Sequence, residues 1–202
     1  MVFILGINGS YRKKETLTLL NEVLDAAKKE GAKTKLINLI DYNIHPCKAC
    51  NTCIKEKFCP INDDMRKIEN MLIEADGIVI GSPTYYASPP GILKNFIDRT
   101  RVLKMSGHKL KNKVFSCIVT SGLLHGGGEN VIQTLHEFAL AHGMLVVGAC
   151  GNPISEPWHV IGTMQCDTGW RRISEDKQAI NSARNLGKRM VEITGLLKFD
   201  KK

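Results

Sequence analysis

The 202-residue chain predicts an α/β domain, a doubly wound sheet of five parallel strands with helices on both faces. Apolar runs and helical stretches alternate five times along it. The runs are apolar throughout rather than alternating, as strands covered on both faces must be. Segments rich in Gly, Ser, Thr and Tyr follow the first, third and fourth runs, on the edge where such sheets bind ligands.

Residues 2–7, VFILGI, read as a buried first strand entering a turn at Asn8-Gly9-Ser10. Over 16–29, Leu17, Leu20, Val23, Leu24 and Ala27 keep helical spacing, and Gly31 supplies the stop. Residues 33–39 alternate as a second strand, and a cysteine-rich loop follows. Asp63 and Asp64 open a helix to about residue 75, and 77–81 (GIVIG) form a third strand. Pro89-Pro90 precede a helix over 91–103 with Ile92, Leu93, Phe96 and Ile97 inward. A fourth strand is expected over 114–119, a helix over 129–142, a fifth strand over 144–149 and a loop rich in Gly, Pro and Trp over 151–172. A helix over 174–193 closes a single domain, 1–195, and a loose Lys-rich tail is expected over 196–202.

Apolar content of 43% and charged content of 24% are those of an ordinary soluble protein. No apolar run reaches the length of a membrane span, and the first ten residues lack the pattern of a signal peptide. A cytoplasmic location is expected, where thiols stay reduced. The net charge of +8 is dispersed, with no nucleic-acid-binding motif. It reads as a solvated surface or as a face for an acidic redox partner.

The densest chemistry lies in HPCKACNTCIKEKFCP, residues 45–60, where Cys47, Cys50, Cys53 and Cys59 are spaced C-x2-C-x2-C-x5-C. Ferredoxins ligate [4Fe–4S] cubanes with a similar run ending in Cys-Pro. Structural zinc sites more often split their thiols into two separated pairs, so the spacing favours iron–sulfur over zinc. Cys117 and Cys150, in or at the end of apolar strands, are expected to be buried structural thiols. His45 reads as a loop residue restrained by Pro46.

The loops GSYRKKET, GSPTYYASPP and TSGLLHGGGE should gather at the carboxyl edge with the cysteine loop. The first runs into a helix N-terminus, which attracts an anion, and Ser10, Arg12, Thr16 and Thr18 can add donors. G-x-G-x-x-G and G-K-[ST] are both missing, so the phosphate of a mononucleotide such as FMN is a better match than a dinucleotide. Taken singly, Ser10 and Thr16 read as helix caps. Three ligand-type loops on one edge favour a site.

These residues resemble the iron–sulfur flavoproteins of archaea and anaerobic bacteria, within the flavodoxin-like, NADPH-dependent FMN reductase superfamily. The compact cysteine motif is the most specific likeness, supported by GS-x-R, by GSPTYY with GILKNFIDR, and by TSG…GGGE. The resemblance implies a flavodoxin-like fold, FMN at the carboxyl edge, and one [4Fe–4S] cluster on Cys47, Cys50, Cys53 and Cys59. It assigns Ser10, Arg12, Thr16 and Thr18 to the phosphate loop. Ser82, Pro83, Thr84, Tyr85 and Tyr86 fall against the isoalloxazine and ribityl groups, and Thr120, Ser121, Gly122, Gly127 and Glu129 in the third loop. The chain departs from the usual GSPRKxGNT, with Tyr11 for proline and Lys14-Glu15-Thr16 for the Gly-Asn portion. Homodimers or homotetramers are implied, with the cluster of one subunit near the flavin of another. A ferredoxin-like donor would supply electrons for a small-molecule acceptor such as oxygen or hydrogen peroxide. An NAD(P)H-dependent FMN or quinone reductase without a working cluster, and a non-catalytic redox sensor, are the competing readings. Trp158, His159 and Trp170 would cover the flavin or pack in a subunit interface.

Overall fold

The sheet is built from β1 (Phe3–Asn8), β2 (Lys33–Asn38), β3 (Gly77–Pro83), β4 (Val114–Ser121) and β5 (Leu145–Val146), parallel throughout in the order β2-β1-β3-β4-β5. These elements come from a computed structural model that describes residues 1–199. Helices α1 (Glu15–Lys29), α2 (Thr52–Lys55), α3 (Met65–Glu74), α4 (Gly91–Arg99), α5 (Arg101–Met105), α6 (Gly128–Ala141) and α7 (Lys177–Phe199) complete the frame.

Alternation along each strand sends successive side chains to two separate cores. Ile4, Val79 and Ile118 meet Leu19, Leu20 and Val23 of α1 and Leu186 and Met190 of α7. Leu5, Ile7, Ile80 and Phe115 meet Ile68 and Leu72 of α3, Leu93 and Phe96 of α4 and Leu135 of α6. Each such fully buried side chain contributes roughly 1.5–3 kcal/mol, which sets register firmly. The predicted first four strands and their helices are present with ends displaced by a few residues, except that the helix expected over 91–103 is two, α4 and α5, parted at Thr100. α1 ends at Lys29, and Gly31, with φ of +83°, reverses the chain just beyond it.

The fifth position differs from expectation. β5 pairs only with Val114 and Phe115, and a further strand, β6 (Val160–Thr163), pairs with Ile118–Ser121 on the same edge of β4. The edge strand is therefore split, and residues 147–159 leave the sheet and return. At Gly148, where a side chain would meet the Trp158 carbonyl at 2.9 Å, the returning chain lies close against the apolar run of 144–149. The predicted 151–172 loop also contains a small antiparallel pair, β7 (Gln165–Cys166) and β8 (Gly169–Trp170). Asp176 secures this excursion: it accepts the Thr163 and Ala179 N–H groups and pairs with Arg171 at 2.6 Å. Cys150 is exposed rather than buried, because the chain has already left the sheet. Cys117 is buried as expected, its thiol pKa pushed up by desolvation. α7 continues past Gly195 to Phe199, so 196–199 are helical and not loose. The rest of the expected tail, 200–202, lies outside the described residues.

One buried base has a pH consequence. Thr100 gives its only hydroxyl hydrogen to the Ile97 carbonyl at 2.6 Å, so it accepts from His142 Nε2–H at 3.0 Å. His142 Nδ1 has no partner, and Phe138 stands edge-on at 5.0 Å. Burial, then the nearby Lys104 and His108, lowers the His142 pKa to about 4. The unfolded chain takes up this proton first, so the stability held above about pH 6.5 is lost as pH falls toward 4. His142→Gln keeps a donor for Thr100 without titrating. Thermal melts from pH 7 to pH 4 are expected to show a smaller drop in Tm for the variant than for the parent.

Candidate functional site

Strand order reverses at β1, and there the carboxyl ends of β1, β3 and β4 stand together, Asn8 beside Gly81 and Pro83 beside Thr120. Three loops rise from them around a cavity of about 340 Å³. Ser10, Arg12 and Thr16 line it from the first side, Pro83, Thr84 and Tyr85 from the second, and Thr120 and Gly122 from the third. The other predicted residues stand behind or beside it. Ser82 is buried, with its hydroxyl on the Pro83 carbonyl, and Ser121 donates to the Leu123 carbonyl at 2.8 Å. Thr18 donates to the Lys14 carbonyl on the outer side, and Glu129 lies in the first turn of α6. Tyr86 is fully exposed. Lys14, Glu15 and Met164 also line the cavity and were missed. Met164 comes from the excursion beyond β6, which carries no motif.

Local bonds hold the loops in place. Asn8, fully buried, accepts the Ser10 N–H and donates to Asn38 Oδ1 at 3.1 Å, and Ser10 Oγ accepts the Arg12 N–H at 3.0 Å. Thr16 and Thr120 share a 2.7 Å hydroxyl contact across the cavity floor. Tyr11, which departs from the family pattern, accepts the Ile92 N–H at 3.1 Å and so satisfies an otherwise open donor at the start of α4. Tyr86 and Ala87 form a two-residue hairpin with φ of 51° and 57° between the mutual bonds of Tyr85 and Ser88. Non-glycine residues in this conformation cost roughly 1–3 kcal/mol each. Gly127, at φ +79°, lies so close that a side chain would sit 2.8 Å from Ala87 Cα.

The cysteine segment takes a different position from the one expected. It follows β2 but does not line the cavity; it packs beside α4 and α5, with α2 against α5. Cys53 and Cys59 are half-buried against the core, Cys47 and Cys50 are exposed, and all four thiols are free. Ala49, Asn51 and Lys57 have left-handed φ and wind the segment back on itself. Among the described residues no three His, Cys, Asp or Glu side chains already converge on a metal-ligating geometry. The donor set nevertheless fits an iron–sulfur centre: four free thiols on one short segment, with cationic side chains behind them. Hydrogen bonds from the Thr52 hydroxyl (3.3 Å) and then its N–H hold the Cys50 thiol below its ordinary pKa, with Arg101 adding a smaller effect.

A fully buried ion pair ties this segment down. Arg99 grips Asp63 through both terminal nitrogens and also donates to the His45 carbonyl at 2.9 Å. Asp63 accepts the His45 N–H at 2.9 Å and the Met65 N–H at 3.1 Å. Desolvation pushes Asp63 upward, but Arg99 and these N–H groups outweigh it and hold the carboxyl below its usual range. His45 thus acts through its backbone, as expected of a loop residue. In the sequence, the available signal for this pair is an arginine ending a helix whose neighbours Leu93 and Phe96 are buried.

Known proteins agree with this architecture. The profile of the NADPH-dependent FMN reductase family matches residues 2–158. An iron–sulfur flavoprotein of Archaeoglobus fulgidus is 44% identical over 190 residues, covering 94% of each chain. One from Methanocaldococcus jannaschii is 38% identical over 196 residues, covering 96% of this chain and 98% of its own. The crystal structure of a flavodoxin, WrbA-like protein from Agrobacterium tumefaciens superposes with a TM-score of 0.63 at 21% identity, covering 96% of this chain and 97% of that one, which shows a flavodoxin-like fold. With the cavity at its switch point and the cysteine segment beside α4, the chain belongs to the NADPH-dependent FMN reductase family of flavin-dependent oxidoreductases, in the branch of the iron–sulfur flavoproteins.

Proposed function

We propose that Cys47, Cys50, Cys53 and Cys59 hold a [4Fe–4S] cluster, that the edge cavity holds FMN, and that the protein passes electrons from a one-electron donor such as ferredoxin to a small acceptor such as oxygen or hydrogen peroxide. The observation that carries this reading is the coexistence of four free thiols on one segment with a polar cavity at the switch point. When bound, a cubane exchanges one electron at a time and a flavin one or two.

The chain's own residues bind and orient. Ser10, Arg12, Thr16 and the open N–H groups of α1 receive the phosphate, with Thr18 outside the cavity as a weaker contributor. Pro83, Thr84 and Tyr85 flank the ring and ribityl chain, with Ser82 and Tyr86 fixing that turn. Thr120 and Gly122 close the third side, and Ser121, Gly127 and Glu129 support it. No side chain is required as acid, base or nucleophile.

Lys48, Lys55, Lys57, Arg66, Arg101 and Lys109 surround the cysteine segment, a field suited to an acidic donor. The cysteines and the cavity are held by different elements of one chain, which supports a homodimer or homotetramer relaying electrons between subunits. Exposed Tyr86, Leu123, Leu124, Trp158 and Trp170 supply apolar surface for it. Unpaired thiols fit a cytoplasmic setting. Among the described residues no helix is long and apolar enough to cross a membrane, and no nucleic-acid partner is proposed.

A second reading, an NAD(P)H-dependent FMN or quinone reductase without a cluster, is favoured by the family's description. Iron and acid-labile sulfide assays on anaerobically purified protein decide between them: about four irons per chain support the cluster, and yellow protein lacking both removes it. Sustained ferredoxin oxidation with peroxide or oxygen would exclude a pure sensor.

Cys59→Ala is expected to lose iron and sulfide while retaining stoichiometric FMN, read from metal analysis and the flavin absorbance. A cluster unchanged in that variant would mean another residue is the fourth ligand. Gly127→Ala forces Ala87 aside and adds about 1–2 kcal/mol of left-handed strain. Fluorescence titration should then show FMN binding about tenfold weaker or worse, with iron content unaffected.

A further inference from the structure

Arg99 has more hydrogen-bonding capacity than its ion pair uses. A guanidinium carries five N–H groups, and three are spent on Asp63 and the His45 carbonyl. Nε is fully buried with no partner. The cysteine of the segment that shares a cleft with this guanidinium is Cys59: both border the space between α3 and α5. Buried donors are left open rarely, and each specific case asks for an acceptor. The pair also closes the segment at both ends, since His45 stands two residues before Cys47 and Asp63 four after Cys59.

We propose that Arg99 is the positioning residue of the cysteine segment: it clamps His45 to Asp63 and offers its spare N–H groups to the Cys59 sulfur, raising the reduction potential of the centre that Cys59 ligates. This rests on the cluster reading above. Four thiolates concentrate negative charge, and hydrogen bonds to ligand sulfur favour the reduced, more negative form. Asp63 turns its own charge toward the guanidinium, so the positive, donor-bearing edge is left for Cys59.

The test compares the reconstituted parent with Arg99→Lys and Asp63→Asn in the full chain with FMN. Arg99→Lys keeps one charge for Asp63 but loses the fork. At a fixed poise its ratio of reduced to oxidised cluster, read by electron paramagnetic resonance, is expected to fall about tenfold, or 59 mV for a one-electron centre. The flavin potentials should stay unchanged. Hydrogen exchange at residues 45–63 should accelerate in the metal-free variant, a readout that survives if the variant takes up no iron. Asp63→Asn should accelerate the same exchange without lowering the potential, because the guanidinium remains on Cys59. An iron-loaded Arg99→Lys with the parent's potential overturns the assignment alone, as does a metal-free variant whose exchange matches the parent's. A parent holding neither iron nor sulfide after reconstitution overturns the cluster reading and this assignment together.

Discussion

Strand β1 is hydrogen-bonded to β2 on one side and β3 on the other, and the rest of the molecule is arranged around that reversal of order. Right-handed crossovers then place α1 on one face and α3 on the other. The segments leaving β1 and β3 are driven apart, and the crevice between them cannot be filled by either helix. The Gly9 N–H bonds the Gly81 carbonyl at 2.8 Å, carrying the ladder one residue beyond the end of β1 before the loops separate. Thr16 packs against Gly81 at the same level, where a side chain would meet it at 3.1 Å. The floor of the cavity is thus sheet backbone, and only its walls depend on loop sequence.

The cavity and the cysteine segment are held by different physics. The loops around the cavity are joined by local bonds among Asn8, Ser10, Arg12, Thr16 and Thr120. The cysteine segment has little apolar surface to bury and leaves Cys47 and Cys50 exposed. It is fastened instead by a buried ion pair, whose desolvation costs several kcal/mol per ion before any attraction is counted. Such a pair is a poor source of stability when apolar residues could take its place. What it supplies here is direction, because each carboxylate oxygen accepts a backbone N–H, of His45 or Met65, and one guanidinium N–H reaches the His45 carbonyl.

Much of this was legible because it follows from periodicity. Apolar runs located β1, β3 and β4, and helical spacing located α1 and α6, since burial on two faces or one leaves an unmistakable pattern. The cavity followed from topology, as the loops after β1, β3 and β4 must share an edge. The split fifth strand was not legible: MLVVGA reads as one strand, and only the later return of VIGT beside β4 shows that the edge is completed by a distant segment. Met164 was hidden for the same reason. The placement of the cysteine segment failed differently. Following β2 guarantees where a loop starts, but twenty-odd residues of non-repeating chain can travel, and long-range bonds to Arg99 and Arg101 decide where it lies. Those partners are fifty residues away or more and leave no local trace.

α4 joins the two regions. Its first turn is secured at the cavity by Tyr11, through the Ile92 N–H, and its last residue is Arg99. At 1.5 Å per residue the eight steps from Gly91 to Arg99 span roughly 12 Å. Leu93 and Phe96, fully buried between, leave the helix no freedom to slide or turn. The helix is therefore held near its start by Tyr11 and at its end by Asp63 and His45. The departure at position 11 thus supplies more than a tolerated substitution: its hydroxyl fixes the start of the helix that carries the cysteine clamp. The spacing between a flavin-type cavity and a thiol-bearing segment is set by that helix, in a part of the chain that belongs to neither.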